Sequence, residues 1–220
     1  MKNVFVFFGI AILFLSTCVP KKCQFPAAYE FEIPVSLSPA KDTFSIGDTI
    51  SIVSNFLDQV YERKTDKWYT LEDFRFYPEM IIREISNEVT DEAGILKFNI
   101  LVDTLYDFSQ FNYSDGAVGY IGDYTYDGEN YSLEYKIIPK EIGLFVFSHF
   151  SAIYGLGEDQ EFDGKCARKL VDAIVNINED SDNNIELLED SPDPHFNEWI
   201  LAKPKQRFYD FGGYAFVVVE

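Results

Sequence analysis

The chain has 220 residues and a net charge of −19, from 37 acidic side chains against 18 basic ones. A surface this acidic repels phosphate backbones, so the composition argues against nucleic acid as a partner. Aromatic residues make up 17% of the chain, including 21 Phe and 14 Tyr. This content is typical of a folded globular protein and argues against a disordered one.

The first seventeen residues have the pattern of an export signal. Lys2 is followed by an apolar run over 4–15, VFVFFGIAILFL, which suits a signal-peptide core and is short for a membrane-spanning helix. A buried core helix is the alternative, but the position of the run directly after an N-terminal Lys favours the signal. We therefore expect residues 1–17 to be a signal peptide.

The four residues that end this segment, Leu15-Ser16-Thr17-Cys18, resemble the lipobox of bacterial lipoproteins. The resemblance implies lipid attachment to the Cys18 sulfur and an anchor in the membrane. Ordinary cleavage after Cys18, with Ser16 and Cys18 as the small −3 and −1 residues, is the alternative. Residues 18–28 would form a tether. Because no acidic cluster follows Cys18, we expect an outer-membrane lipoprotein facing the periplasm, with the cell surface or secretion as alternatives.

Apolar residues recur at every second position from Tyr29 onward. In YEFEIPVSL the apolar positions alternate with polar ones, which predicts a half-buried strand, and Pro34 on the polar side predicts that this strand lies at a sheet edge. The pair Gly47-Asp48 predicts a bend before a second strand with Ile50 and Ile52.

The middle of the chain is rich in tyrosine, and the turn dipeptide Asp127-Gly128 lies between two alternating runs. Short strands separated by turn signals predict an antiparallel β-sandwich over residues 29–153. The spacing Glu141-x-Gly143-x-Phe145 resembles a corner motif of immunoglobulin-like domains. The resemblance implies an immunoglobulin-like sandwich in a bacterial envelope lipoprotein.

The composition changes after Tyr154, and we expect residues 154–220 to form a small α+β part that packs on the sandwich. Asp163 can cap a helix over about 164–177, and Asp193-Pro194 can begin a short helix through Trp199. The final segment, GGYAFVVVE, is apolar on both faces and predicts a central strand. The predicted fold class is therefore mainly β, with a small helix-containing C-terminal part.

Catalytic and metal-binding patterns are weak. Four residues of the acidic loop begin like a calcium-binding EF-hand: Asp180, Asp182, Asn184 and Glu186. Ile185 and Ser191 then occupy positions that require Gly and Glu, so a solvated loop is favoured. His149 and His195 are more easily interpreted as structural residues, since no nucleophile motif accompanies them. We predict no catalytic residue, metal or cofactor.

Tyr124 and Tyr126 are the candidate ligand-binding residues. They lie beside the Asp127-Gly128 turn, where a hairpin tip could present their rings to a sugar or a protein. The alternative is that they fill a pleated sheet surface. The predicted function is a non-enzymatic binding or scaffolding module of unknown ligand, which contacts the membrane through its lipid and has an envelope protein or a glycan as its candidate partner. A glycan-binding accessory module and a hydrolase without a recognisable motif are the alternatives.

The three cysteines leave one without a partner. If Cys18 carries the lipid, Cys23 and Cys166 remain, and an oxidising compartment allows them to form a disulfide. Two free buried thiols are the alternative.

Overall fold

The computed structural model describes residues 28–86, 93–114, 116–152, 160–166, 169–179 and 181–220. The strands in these ranges are β1 Tyr29–Ser38, β2 Thr43–Ser45, β3 Ile50–Leu57, β4 Gln59–Glu62, β5 Lys67–Thr70, β6 Tyr77–Ile85, β7 Phe98–Val102, β8 Phe108–Asn112, β9 Val118–Gly122, β10 Thr125–Tyr126, β11 Asn130–Pro139, β12 Gly143–Ala152, β13 Val171–Ile177 and β14 Gly213–Val219.

These strands form two sheets. The first has eight strands in the order β10-β11-β3-β1-β4-β5, with β13 beside β1 and β7 beside β11. The second has six, in the order β2-β14-β12-β6-β9-β8. Most pairs are antiparallel, while β13 lies parallel to β1 and β2 parallel to β14. The predicted mainly β sandwich is confirmed.

The core lies between the two sheets. Alternation along β1 places Phe31, Ile33 and Val35 inside, each at most 3% exposed. The sheets contact each other through aromatic rings: Phe98 of β7 meets Phe145 of β12 edge to face, with centroids 4.9 Å apart. This geometry is favourable for aromatic pairs, and it explains where much of the aromatic content lies.

Two predicted turns are confirmed. Gly47 has φ +86° just before β3, and Gly128 has φ +103° between β10 and β11. Side-chain oxygens of both neighbouring aspartates accept backbone N–H groups: Asp48 from Ser45 at 3.0 Å, and Asp127 from Asn130 at 2.8 Å. Aspartate commonly stabilises turns in this way.

The prediction that Pro34 marks a sheet edge is wrong. β1 pairs with β13 on one side and with β4 and β3 on the other. On this second side, β1 pairs with β4 at Phe31 and with β3 from Ser36 onward, and Pro34 lies between these two stretches. Its carbonyl accepts the Ser54 hydroxyl at 2.8 Å, so its missing N–H faces this gap between the two ladders. A proline is therefore tolerated inside this sheet.

The predicted helix over 164–177 is also wrong, because β13 occupies its second half. The buried side chains of β13 include Val171, Val175 and Ile177, whereas Leu170, which the helical pattern placed on a buried face, is 60% exposed. β-branched residues suit strands, and the long ladder with β1 stabilises the extended conformation.

Short helical turns complete the C-terminal segment. They are Ile185–Leu188, His195–Ile200 and Lys205–Tyr209, and a further turn at Gly94–Lys97 precedes β7. The predicted short helix through Trp199 is thus confirmed, and so is the final central strand, because β14 lies between β2 and β12. The C-terminal turns form a second core on the outer face of the six-stranded sheet through Phe196, Ile200 and Phe208. Among the described helices, none is long and apolar enough to cross a membrane.

Candidate functional site

The outer face of the eight-stranded sheet carries two adjoining recesses that share Glu32, Tyr61 and Asn176. The first recess, of about 490 Å³, is mainly apolar, and we call it the Trp68 groove. Its other principal lining residues are Pro34, Leu57, Val60, Trp68 and Glu179.

The second recess, of about 690 Å³, is the polar cleft. It lies towards the C-terminal turns, and its polar lining includes Arg63, Ser181, Asp182, Asn183, Lys205 and Asp210. An apolar groove that continues into a polar cleft can hold an amphipathic ligand, because each half of the ligand meets surface of its own kind.

The β4–β5 hairpin presents the aromatic side chains of the Trp68 groove. Tyr61 and Trp68 are cross-strand partners, and their rings lie 5.6 Å apart at 55°. The Tyr61 hydroxyl donates to Asp66 at 3.0 Å, which fixes the Tyr61 ring. Trp68 is 69% exposed, and Leu57 beside it is 50% exposed. The groove therefore displays a large indole surface on a hydrogen-bonded strand pair.

Buried Glu62 holds this hairpin in place. Its carboxylate is fully buried and accepts three backbone N–H groups, from Glu30 at 2.7 Å, Lys64 at 3.1 Å and Thr65 at 2.8 Å. A buried carboxylate is tolerated when its oxygens are satisfied in this way. Glu62 thus ties the hairpin turn to β1, the strand that carries Glu32 and Pro34.

An ion-pair network closes the polar cleft. Arg63 donates to Glu30 Oε2 at 2.7 Å and to Asp210 Oδ1 at 2.9 Å. Lys64 pairs with Glu30 at 2.8 Å, and Lys205 pairs with Asp210 at 3.0 Å. Burial works against ionisation of Glu30 and Asp210, but the hydrogen bonds from these cations outweigh it and hold the pKa of each carboxyl below its usual range. Arg63 thereby joins β1 to the C-terminal turn.

The acidic character of the Trp68 groove follows from its lining. The charged residues that line it are Glu32 on β1 and Glu179 just after β13. The alternation of β1 directs Glu32 outward while Phe31 and Ile33 enter the core. The groove therefore combines aromatic faces with negative charge, and such a surface attracts cations.

The structure does not present the predicted tyrosines on a hairpin tip. Tyr124 is 8% exposed and belongs to the core, where its hydroxyl lies 3.2 Å from His149 Nε2. Tyr126 is half-buried, stacks on Tyr131 with centroids 4.6 Å apart and donates to Asp58 at 3.2 Å. Tyr124 lies just before the short β10 and packs on Phe56, and Tyr126 is the last residue of β10. The ligand-binding role predicted for Tyr124 and Tyr126 requires exposed rings, and Tyr124 has no exposed ring surface.

The remaining predicted residues lie apart from the groove. His149 is fully buried, and His195 lies exposed on a C-terminal turn. Cys18 and Cys23 fall outside the described residues, as does Asp180 of the acidic loop. Cys166 is the last residue of the described segment 160–166, and its disulfide with Cys23 stays a prediction. Among the described residues, no group of three or more His, Cys, Asp and Glu side chains could hold a metal ion.

Sequence patterns did not identify the Trp68 groove. The sequence features that could have indicated it were Glu32 and Pro34 on the outward side of β1 and a Trp directly after the KTDK turn. Nothing in that spacing showed that β1 and β4 would lie side by side and bring Glu32 close to Tyr61.

Comparisons with known proteins give distant likenesses. No protein-family model matches the chain, and no curated protein matches it. The chain is similar to the reeler domain of human F-spondin, with 10% identity over 62% of this chain and 87% of that one, and a TM-score of 0.32.

Two cohesins are also similar to this chain. A type II cohesin domain from the cellulosome of Acetivibrio cellulolyticus has 11% identity over 60% of this chain and 76% of that one, with a TM-score of 0.24. A non-cellulosomal cohesin from Archaeoglobus fulgidus has 11% identity over 69% of this chain and 91% of that one, with a TM-score of 0.23. Likenesses this distant carry no argument about function.

Proposed function

We propose that this chain is a non-enzymatic binding module of the cell envelope and that it holds a partner protein in the Trp68 groove. The observation that carries the proposal is the exposed Trp68 ring, 69% accessible on a paired strand, beside a recess of about 490 Å³. Large exposed apolar surfaces beside polar rims are typical of interaction sites, and Trp is enriched among the residues that dominate binding energy.

The groove fits a positively charged, partly apolar segment of the partner. Its charged lining residues are Glu32 and Glu179, and the whole chain carries a charge of −19. A Lys or Arg side chain in the groove would lie between these carboxylates and the faces of Tyr61 and Trp68, where cation–π attraction adds to charge attraction. Apolar side chains of the same segment would cover Leu57.

A glycan is the second candidate ligand. The tilted Tyr61–Trp68 pair offers ring faces on which a sugar can stack, and the neighbouring polar cleft offers Asn176, Ser181 and Asp182 for hydroxyl groups. This surface replaces the tyrosine hairpin as the place where a glycan would bind.

An N-terminal lipid would hold the module at the membrane. The apolar run over 4–15 and the lipobox-like segment ending at Cys18 support export and anchoring, and we place the protein in the outer membrane facing the periplasm. The surface-exposed and secreted locations are the alternatives. The anchor leaves recognition to the folded part, since acyl chains supply membrane affinity alone.

A hydrolase based on His149 has little support. Both ring nitrogens of this fully buried residue lie against tyrosine hydroxyls, at 3.2 Å from Tyr124 and 2.6 Å from Tyr135. A general base must reach the proton that it abstracts, and a substrate cannot approach His149 in this position.

Fluorescence of a single tryptophan tests the proposal. The chain contains two Trp residues, so Trp199→Phe leaves Trp68 as the only indole reporter. We expect a short peptide of alternating Lys and Leu to change the Trp68 emission, and we expect its affinity to fall as salt increases. A matched peptide of alternating Glu and Leu is the control and should leave the emission unchanged.

The other outcomes separate the candidates. A neutral oligosaccharide that changes the emission independently of salt, while the Lys-Leu peptide does not, would favour the glycan and reject the cationic partner. Equal responses to both peptides, or no response to any probe, would contradict the proposed groove.

A further inference from the structure

A second recess lies on the opposite side of the molecule, on the outer face of the six-stranded sheet. The C-terminal turns cover this face and enclose about 250 Å³ between themselves and β6 and β12. We call it the Trp199 pocket, and its floor is formed by Ile81, Arg83, Val146 and Ser148. Its aromatic wall comes mainly from the C-terminal segment: Phe196, Trp199, Phe208 and Phe211.

The charge of the Trp199 pocket is opposite to that of the rest of the protein. Its charged lining residues are Arg83 and Arg207, and His195 is its other titratable residue. Among the described residues that line it, none is a carboxylate. This lining stands out in a chain with 37 acidic and 18 basic side chains.

Acidic residues that lie near the pocket without lining it include Glu79, Glu198 and Asp193, whose Oδ1 accepts the His195 backbone N–H at 2.9 Å. Glu79 is on the same face of β6 as Ile81 and Arg83, opposite Phe150 of β12. Burial raises the pKa of Glu79 to about 7, which reduces its negative charge at neutral pH. Glu198 is exposed on the turn beside Trp199. Among the described lining residues, the positive charge comes from Arg83 and Arg207.

Trp199 organises the mouth of the pocket. The Arg207 guanidinium lies 4.0 Å from the centroid of its ring, and the His195 ring stacks nearly parallel to it at 5.0 Å and 17°. Arg207 Nη1 also donates to the Trp199 carbonyl. These contacts hold a guanidinium against an indole that is 50% exposed, and the planar guanidinium has further N–H donors with which to bind a carboxylate.

We propose that the Trp199 pocket binds a small apolar carboxylate, with its ring or short chain among the aromatic side chains and its carboxylate on Arg207. The size favours a small ligand, because pockets for drug-sized molecules usually enclose about 300–1,000 Å³. The site is separate from the Trp68 groove in position and in charge, so it gives the protein a second ligand of the opposite sign.

Phenylacetate and its uncharged analogue phenylacetamide test this assignment. The variant Trp68→Phe leaves Trp199 as the only indole, and its emission then reports on this pocket alone. We expect phenylacetate to change the emission and phenylacetamide to bind at least tenfold more weakly. Arg207→Gln should reduce phenylacetate affinity by a similar factor and leave phenylacetamide affinity unchanged.

Two results would overturn the assignment. Equal affinity for the acid and the amide would show that the pocket does not select an anion. An absence of any emission change up to millimolar phenylacetate would show that it is not a site for this class. If Arg207→Gln fails to fold, the comparison of phenylacetate with phenylacetamide in the Trp68→Phe variant still decides, because it needs no further substitution.

Discussion

The hydroxyl of Tyr135 lies 2.6 Å from Nδ1 of His149 in the centre of the sandwich, and the Tyr124 hydroxyl lies 3.2 Å from Nε2 of the same ring. All three side chains are buried. A neutral imidazole has one donor and one acceptor nitrogen, so one tyrosine accepts a hydrogen bond from it and the other donates one. Burial lowers the pKa of His149 to about 3 and keeps the ring neutral.

Replacing His149 with Leu should destabilise the protein. The substitution leaves two buried hydroxyls without their imidazole partner, and an unsatisfied buried polar group costs about 1–3 kcal/mol. We expect urea denaturation at pH 7.5 to show a loss of about 2–4 kcal/mol in the free energy of unfolding. A loss below about 0.5 kcal/mol, within the range of a surface substitution, would contradict the role of this hydrogen-bonded chain.

The pH dependence of the stability difference between the wild type and His149→Leu separates the effect of charge from that of packing. The folded pKa of His149 is about 3, below its ordinary value of 6.5, so its contribution to stability is present above pH 6.5 and is lost as pH falls towards 3. Each pKa unit corresponds to about 1.4 kcal/mol. The difference in stability between the wild type and His149→Leu should therefore shrink between pH 6.5 and 4. A constant difference would contradict a neutral buried imidazole.

Glu79→Gln should stabilise the protein at alkaline pH. Burial raises the folded pKa of Glu79 to about 7, so the favourable contribution of its neutral form is present below its unfolded pKa and is lost as pH rises through 7. Gln is neutral at every pH and can still accept from the Tyr113 hydroxyl, which donates to Glu79 Oε1. After allowance for partial exposure, we expect a gain of about 1 kcal/mol at pH 8 and none at pH 4.5, measured by urea denaturation. A gain of the same size at both pH values would refute the shifted pKa.

The sequence predicted the sandwich because the alternation of apolar residues is a local signal. In β1 the positions of Phe31, Ile33 and Val35 repeat every two residues, and burial follows that repeat. Gly47 and Gly128 added turn signals of equally short range. These features depend on neighbouring residues and are therefore visible in a single chain.

Long-range pairing explains most of what the sequence did not predict. The segment Val171–Ile177 suits a helix or a strand, and its parallel ladder with β1, more than a hundred residues earlier, decides between them. The same ladder places Pro34 inside a sheet. Tyr124 looked like a hairpin-tip residue because β10 is adjacent to a turn, but the ring enters the core beside His149. The Trp68 groove likewise needs β1, β4 and β13 side by side.

Arg63→Met should loosen the C-terminal turn from the first sheet. The substitution leaves Glu30 and Asp210 partly buried with one cation fewer, and we expect a loss of about 1–3 kcal/mol at pH 7. Because the pKa of each carboxyl is lowered in the folded state, this difference should decline as pH falls below 4. Lys136→Met, at an exposed position of β11, is the matched control. Equal effects of the two substitutions in thermal denaturation would argue against the network.

Intact-mass measurement of the exported protein tests the cysteine assignments. We expect Cys18 to carry the lipid and Cys166 to be joined to Cys23, so reduction should add two hydrogens and release two thiols. By the chain-entropy account, closing so long a loop contributes about 4–5 kcal/mol, and Cys166→Ser should therefore lower the melting temperature. Two free thiols before reduction would contradict the disulfide, and an unmodified Cys18 would contradict the anchor.

Calorimetric titration of the alternating Lys-Leu peptide into matched tryptophan variants tests the Trp68 groove most directly. Trp68→Ala removes the indole from the groove, whereas Trp199→Ala removes an equally large ring from the opposite side of the molecule. We predict that Trp68→Ala weakens binding by about tenfold or more, the effect expected of a central Trp at an interface, while Trp199→Ala leaves the affinity unchanged. Equal affinities for Trp68→Ala and the wild type would contradict a partner site in the Trp68 groove.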